Sequence, residues 1–299
     1  MNPDGSNDNS TTRTITGLTV STTGNTPATN TVKVEWMRQA NDGTFNANGN
    51  NMILGRGITS SSQQGTIYGC NANKKCVNIV KVESGNFSTV RPINTDISST
   101  NAVNTYFIFG CDYDKSLTDY YSSTTNAYNT KLRINNITWS GMGNANRTHG
   151  ELYIRTLFKS GTFNGQYYAH TAATLGQRFI TIEGGYLNNN ITCGSENDLH
   201  QENARALTMR IRGNAMVDGR IAGGSTSRNC SGDRCIVLTG GRVGGWIAAG
   251  SNSNNTTGGV TEGTSYVYIG GNAQVNSNGS TTNIGNSSGG VVYGAGCGI

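Results

Sequence analysis

The sequence predicts an all-β solenoid, a parallel β-helix of about 8 to 10 coils, each 24 to 31 residues long. Three observations lead there. One short phrase recurs between residues 178 and 299; the apolar residues around each copy alternate with polar ones; and the composition is rich in Gly and Asn but poor in charge.

The phrase is first read at Ile182-Glu183-Gly184-Gly185 through Ile191-Thr192-Cys193-Gly194-Ser195. It returns at Ile211-Arg212-Gly213-Asn214 through Ile221-Ala222-Gly223-Gly224-Ser225, and again at Leu238-Thr239-Gly240-Gly241 through Ile247-Ala248-Ala249-Gly250-Ser251. In each copy a second aliphatic residue (Leu187, Val217, Val243) stands four positions before the Ile-x-x-Gly-Ser. A fourth, damaged copy starts at Ile269-Gly270-Gly271-Asn272, carries Val275 and recovers at Val291-Val292-Tyr293-Gly294. The anchors Ile182, Ile211, Leu238 and Ile269 are 29, 27 and 31 residues apart, a spacing that marks a solenoid.

Alternation selects strand over helix. Ile180 and Ile182 flank Thr181, Met209 and Ile211 flank Arg210, and Ile236/Leu238 and Val267/Ile269 repeat the pattern. Period two with β-branched residues is the signature of a half-buried strand, and no stretch here sustains helical spacing over three turns. The Gly and Asn residues that close each strand tolerate positive φ and turn the chain sharply. Inward Ile, Val, Leu and Met are therefore expected to stack on their equivalents in the next coil, about 4.8 Å away.

Composition agrees. Of 299 residues, 42 are Gly and 39 are Asn, while charged residues make up 13% and hydrophobic ones 34%. So little charge argues against a charged disordered chain, and so little apolar content argues against a thick globular core. A solenoid reconciles the two, since its core is a thin column and its corners consume Gly, Asn, Ser and Thr. The net charge of +5 is spread without a Lys/Arg run, so no nucleic-acid partner is expected. No apolar run approaches 18 residues, so no membrane-spanning helix is expected either.

In chain order, residues 1–50 read as a polar lead-in or cap with one or two strands, such as Ile15–Val20 and Val32–Trp36. Residues 51–299 read as the solenoid, interrupted at 110–130, 195–206 and 276–290. Before the clear repeats, Val82, Phe107, Ile134 and Phe158 serve as anchors, leading to Ile182 in steps of 25, 27, 24 and 24. Val80–Phe87 and Phe158–Phe163 match in spacing.

The first interruption holds the densest Tyr and Asp cluster of the chain: Asp112, Tyr113 and Asp114, then Asp119, Tyr120 and Tyr121, and later Tyr128. Rings beside carboxylates suit a sugar-binding or partner-binding loop. The same Tyr residues suit better still a cover that buries its rings against the solenoid wall. In the second interruption Asp198, His200 and Glu202 are too sparse a set for a metal site, and a solvated loop of one or two helical turns is expected. No metal and no cofactor are expected.

Seven cysteines suggest an oxidising compartment. Cys70 with Cys76, and Cys230 with Cys235, flank loops short enough to close by disulfides, and Cys193 occupies a repeat slot filled elsewhere by Gly223 and Ala249. Fragments such as Asn94-Thr95-Asp96, Asp112-Tyr113-Asp114, His149-Gly150 and Arg210-Ile211-Arg212 follow the order seen in polygalacturonases, but Tyr113 splits the Asp pair and Ile211 already serves the core. No nucleophile elbow, His-rich metal motif or phosphate loop is present, so no catalytic residue is assigned.

Ile236 through Ile247 and Gly290 through Gly296 resemble the Gly-Gly-rich coils of bacterial cell-surface and adhesin-like proteins with pectate-lyase-type β-helices. The resemblance covers roughly residues 178–299. It implies a single-stranded, right-handed parallel β-helix placed outside the cell or on its surface. The function expected from it is structural or adhesive, the alternatives being a carbohydrate-active enzyme of polygalacturonase or lyase type and a tail-spike-like glycan binder. The first residues lack a secretory signal, a departure from a secreted precursor. At the other end, Val291-Val292-Tyr293 precedes Cys297-Gly298-Ile299 with no polar cap, and Val275 and Ile284 lie nearby. An uncapped coil leaves backbone groups unpaired, so a second copy, another protein or further chain is expected to cover it, with a surface glycan as a further partner.

Overall fold

The computed structural model describes residues 18–19, 31–35, 44–47, 49–58, 65–70, 76–93, 103–112, 121–122, 127–128, 132–138, 152–165, 167–168, 178–193, 207–224, 232–250, 252–253, 263–275, 292–294 and 297–298. Among them the regular elements are strands, wound as a right-handed parallel β-solenoid.

One sheet runs the length of the molecule. Its nine strands are Thr31–Val34, Asn51–Leu54, Cys76–Val82, Val103–Phe109, Leu152–Phe158, Arg178–Ile182, Leu207–Ile211, Arg234–Leu238 and Ser265–Ile269, each parallel to the next. We call this the first face. Each strand returns to its neighbour only after a full coil, which is the connection that parallel pairing demands.

The rest of each coil forms a second sheet whose shape changes along the axis. In the earlier coils it is a single leg, Thr66–Cys70, Gly85–Ile93 and Leu132–Thr138 pairing side by side. Leu132–Thr138 then pairs with two short strands at once, Arg133 and Ile134 with Thr162 and Phe163, and Ile137 and Thr138 with Tyr167 and Tyr168. From there the leg is split by a corner at Asn164, whose side-chain amide donates to Asn135 Oδ1 at 3.0 Å and so fastens the new corner to the coil before it. Second-face strands Tyr186–Leu187, Met216–Val217 and Arg242–Val243 follow on one side, and third-face strands Ile191–Thr192, Ile221–Ala222 and Ile247–Ala248 on the other.

Registered stacking builds the core. Val34, Leu54, Val82, Phe109, Phe158, Ile182, Ile211, Leu238 and Ile269 occupy one inward column of the first face. From Leu54 to Leu238 every member is fully buried. Where the column is aromatic, Phe109 and Phe158 pack edge to face or tilted with each other and with Phe163 and Tyr167 of the second sheet, at centroid distances of 4.7 to 5.8 Å. The inward column four residues earlier on each strand is more polar. Asn78 donates to the carbonyls of Asn50 and Gly69 and accepts from Thr105 Oγ1, and further on Arg178 and Arg234 lie in register on either side of Leu207.

The column corrects two anchors. Phe109, rather than Phe107, pairs with Val82 and Phe158, and Phe107 faces inward one pleat earlier beside Val80. Ile134 opens no coil of its own, because Leu132–Thr138 is the second leg of the coil that begins at Val103. The alternation Leu132-Arg133-Ile134 looks the same in any leg of a solenoid, so period two identifies a strand but not its face. Register steps along the first face are 20, 28, 27, 49, 24, 29, 27 and 31 residues, and the interruption after Phe109 falls inside one long coil. The first face also begins at Thr31, within the segment read as lead-in.

Corners depend on glycine at particular positions. Gly241 turns with φ of +75°, and a Cβ there would lie 2.6 Å from the Ala215 carbonyl oxygen of the coil below. Gly241→Ala combines left-handed backbone strain with a clash against backbone, so a loss of about 1–3 kcal/mol is expected. Chemical denaturation checks this, with Ala249→Gly as a comparison that removes one buried methyl and adds no clash.

Candidate binding face

Outward side chains of the first face form columns of their own. One runs Ile79, Tyr106, Arg155, Phe179, Thr208, Cys235 and Tyr266; the other runs Lys81, Ile108, Leu157, Thr181, Arg210, Val237 and Tyr268. Pleating fixes this arrangement, since every second residue of a core-facing strand must point away. The result is an apolar and aromatic surface studded with cations. Val77, Ile79, Tyr266 and Tyr268 are exposed, and Tyr106, Phe179, Leu157 and Val237 are half-buried.

No Asp or Glu stands on any of the nine strands. Lys33 and Lys81 are held by Glu35 and Glu83, which lie just past the strand ends. Arg155 and Arg210 are exposed and form no ion pair among the described residues. The Arg155 guanidinium sits 5.5 Å from the centre of the Phe179 ring, a cation–π contact. Past the strands, the first corner carries its own mixed-charge row, with Lys159 on Asp112 at 3.1 Å and Arg212 on Glu183.

The last described coil differs from those before it. Ile269 is 40% exposed although Leu238 and Ile211, its partners in the column, are fully buried, and Tyr266 and Tyr268 are 60% and 59% exposed. Val292 and Tyr293 on the third face are exposed as well, while their register partners Ile247 and Ala248 are buried. Tyr293 meets Trp246 edge to face at 6.2 Å.

Of the Tyr/Asp loop, Asp112 is an exposed carboxylate engaged with Lys159. Tyr121–Ser122 and Ala127–Tyr128 pair as a small antiparallel hairpin. Tyr113, Asp114, Asp119 and Tyr120, with the side chains of Tyr121 and Tyr128, lie outside the described residues, as do Asp96, His149, Asp198, His200 and Glu202. Cys70 is disulfide-bonded. Cys235 is a half-buried thiol on the outward column, so the bridge expected between Cys230 and Cys235 is not formed; its strand position points the sulfur off the first face. Cys193 and Cys111 are buried thiols. The Cys76 side chain and Cys230 lie outside the described residues.

No family model, curated protein or solved structure matches the chain. Sequence reading missed Tyr106, Arg155, Phe179 and Arg210 because the repeat is carried by the core-facing half of each alternation and these residues stand in the outward half. The signal was present in that half, once the strands were aligned on their core anchors.

Proposed function

We propose that the chain is an extracellular or cell-surface structural module of adhesive character, which makes its contact through the coil that ends the first face. The observation that carries this reading is the exposed row Tyr266, Tyr268 and Ile269, in positions whose equivalents one coil earlier are half or fully buried. Ser265–Ile269 pairs with Arg234–Leu238 on one side and, among the described residues, is the edge strand on the other, so its outer backbone groups suit pairing with a further strand. The contact fits a second copy of the chain stacked end to end, or another β-rich protein. The disulfide at Cys70 supports an oxidising setting, in keeping with the resemblance to adhesin-like coils.

The enzymatic alternative needs an acid and a base facing one bond. Glycoside hydrolysis takes two carboxyl groups roughly 5 to 9.5 Å apart. The first face supplies none on its strands, and Asp112 beside it is engaged with Lys159, so the outward surface favours holding a ligand over cleaving one.

Sedimentation across a concentration series tests the contact. Association that Tyr268→Glu and Ile269→Lys abolish, each with its β-sheet spectrum intact, is the expected result. A parent that stays monomeric at high concentration, with amides 265–275 as protected from hydrogen exchange as those of 207–250, contradicts it.

A further inference from the structure

Resting on the reading of the terminal coil as a contact surface, we propose that its partner is a second copy of this chain, stacked head to tail. Ser265–Ile269 of one copy then pairs in parallel with Thr31–Val34 of the next. Such a contact repeats without closing, and its product is an open filament.

The argument begins with what the two ends of the solenoid offer. Among the described residues, Thr31–Val34 pairs only with Asn51–Leu54 and Ser265–Ile269 only with Arg234–Leu238, so the first face has one edge strand at each end. The remaining wall repeats this. Among the described residues, Leu18–Thr19 pairs only with Thr44–Asn46, and Val292–Tyr293 only with Ile247–Ala248. Stepwise register places Leu18 and Val292 at opposite ends of one series that passes through Phe45, Ile137 and Ile247. All these pairings are parallel, so a copy displaced along the axis meets both edges at once, in the direction the ladders already run.

Register then decides what meets what. Val34 and Ile269 end the same inward column, which sets Ile269 on Val34, Val267 on Val32 and Tyr268 on Lys33. Val34 and Val267 are partly buried against the core and Ile269 is 40% exposed, whereas Leu54 and Leu238, one coil further in, are fully buried. Stacking gives the end residues the cover that Leu54 and Leu238 already have. On the outward side, the Lys33 stem falls across the Tyr268 ring, an arrangement that favours the cation. Neither edge strand carries a Pro or an inward charge, the devices that keep sheet edges apart. A two-fold contact of tail against tail fits less well. It sets Ser265, whose enclosed hydroxyl has no hydrogen-bond partner among the described residues, against Ile269, and it brings Thr31–Val34 no strand.

The test uses the full chain in sedimentation and small-angle X-ray scattering. Nine first-face strands at about 4.8 Å each make one copy about 43 Å long, so the parent is expected to lengthen in such steps with rising concentration, at constant cross-section. Val34→Lys damages only the head and Ile269→Lys only the tail. Each alone is expected to associate at least tenfold more weakly than the parent, while an equal mixture forms a dimer and nothing larger, because it still holds one sound head and one sound tail. Undiminished association of Val34→Lys alone, growth of the parent that stops at two copies, or a cross-section that doubles would overturn the head-to-tail contact and leave the terminal coil as a contact surface. A parent that stays monomeric overturns it too, and the underlying reading falls with it only if amides 265–275 are then as protected as those of 207–250. Should Val34→Lys not fold, the scattering of the unaltered protein decides by itself.

Discussion

Ile211→Asp is expected to unfold the coils around it at temperatures where the parent is intact. Ile211 is fully buried, stacked between Ile182 and Leu238 in the inward column. A carboxylate there meets aliphatic side chains above and below, with no cation in register. Leaving an uncompensated charge in such a place costs several kcal/mol, and in a solenoid the damage passes to neighbouring coils, since each is held only by those beside it. Arg210→Asp is the comparison, one residue earlier on the same strand but pointing out. Thermal melts should separate the two variants widely; equal melting temperatures would mean the register is wrong.

The second large effect belongs to Arg234, fully buried although it is the most polar side chain of its strand. Its Nη1 donates to the Gly232 carbonyl at 2.7 Å and its Nε to the Gly223 carbonyl at 3.3 Å, so one guanidinium ties the start of a first-face strand to the end of the previous coil's third face. Arg234→Ala removes the donors and the volume together. The buried Gly223 carbonyl left unpaired costs about 1–3 kcal/mol and the half-buried Gly232 carbonyl less, so with the lost packing a destabilisation of about 2–4 kcal/mol is expected. Arg234→Lys should recover only part of it, because one ammonium cannot reproduce the planar fork. Hydrogen exchange should rise first in 207–250 while the Phe109–Phe158 region keeps its protection. An Arg234→Ala protein as stable as the parent would remove the tie from the account.

Legibility followed the physics. The solenoid and the stacking of Ile182, Ile211, Leu238 and Ile269 were readable because hydrophobic burial forces one residue type into one repeat position, and a corner such as Gly184-Gly185 forces another. The coil holding Leu132–Thr138 was miscounted because a strand's alternation carries no label for the face it belongs to. Arg178 and Arg234 were unreadable as core residues, since a charged residue in an alternating strand is ordinarily the outward one. Corner carbonyls at Gly223 and Gly232, which make burial of Arg234 tolerable, exist only once the coil has closed. The outward surface was present in the sequence as the other half of the alternation, yet its arrangement depended on placing Arg155 against Phe179, residues 24 positions apart.

Register along the axis is the claim on which the core, the corners and the proposed contact rest. Spin labels placed pairwise in one outward column test it directly, with one label fixed at Lys33 and the other moved to Lys81, Leu157, Arg210 or Tyr268. These positions lie two, four, six and eight strands away in the pairing order. At about 4.8 Å per strand, the distances are expected to rise in equal increments through about 10, 19, 29 and 38 Å. Distances that level off or turn back along the series would contradict a single parallel solenoid.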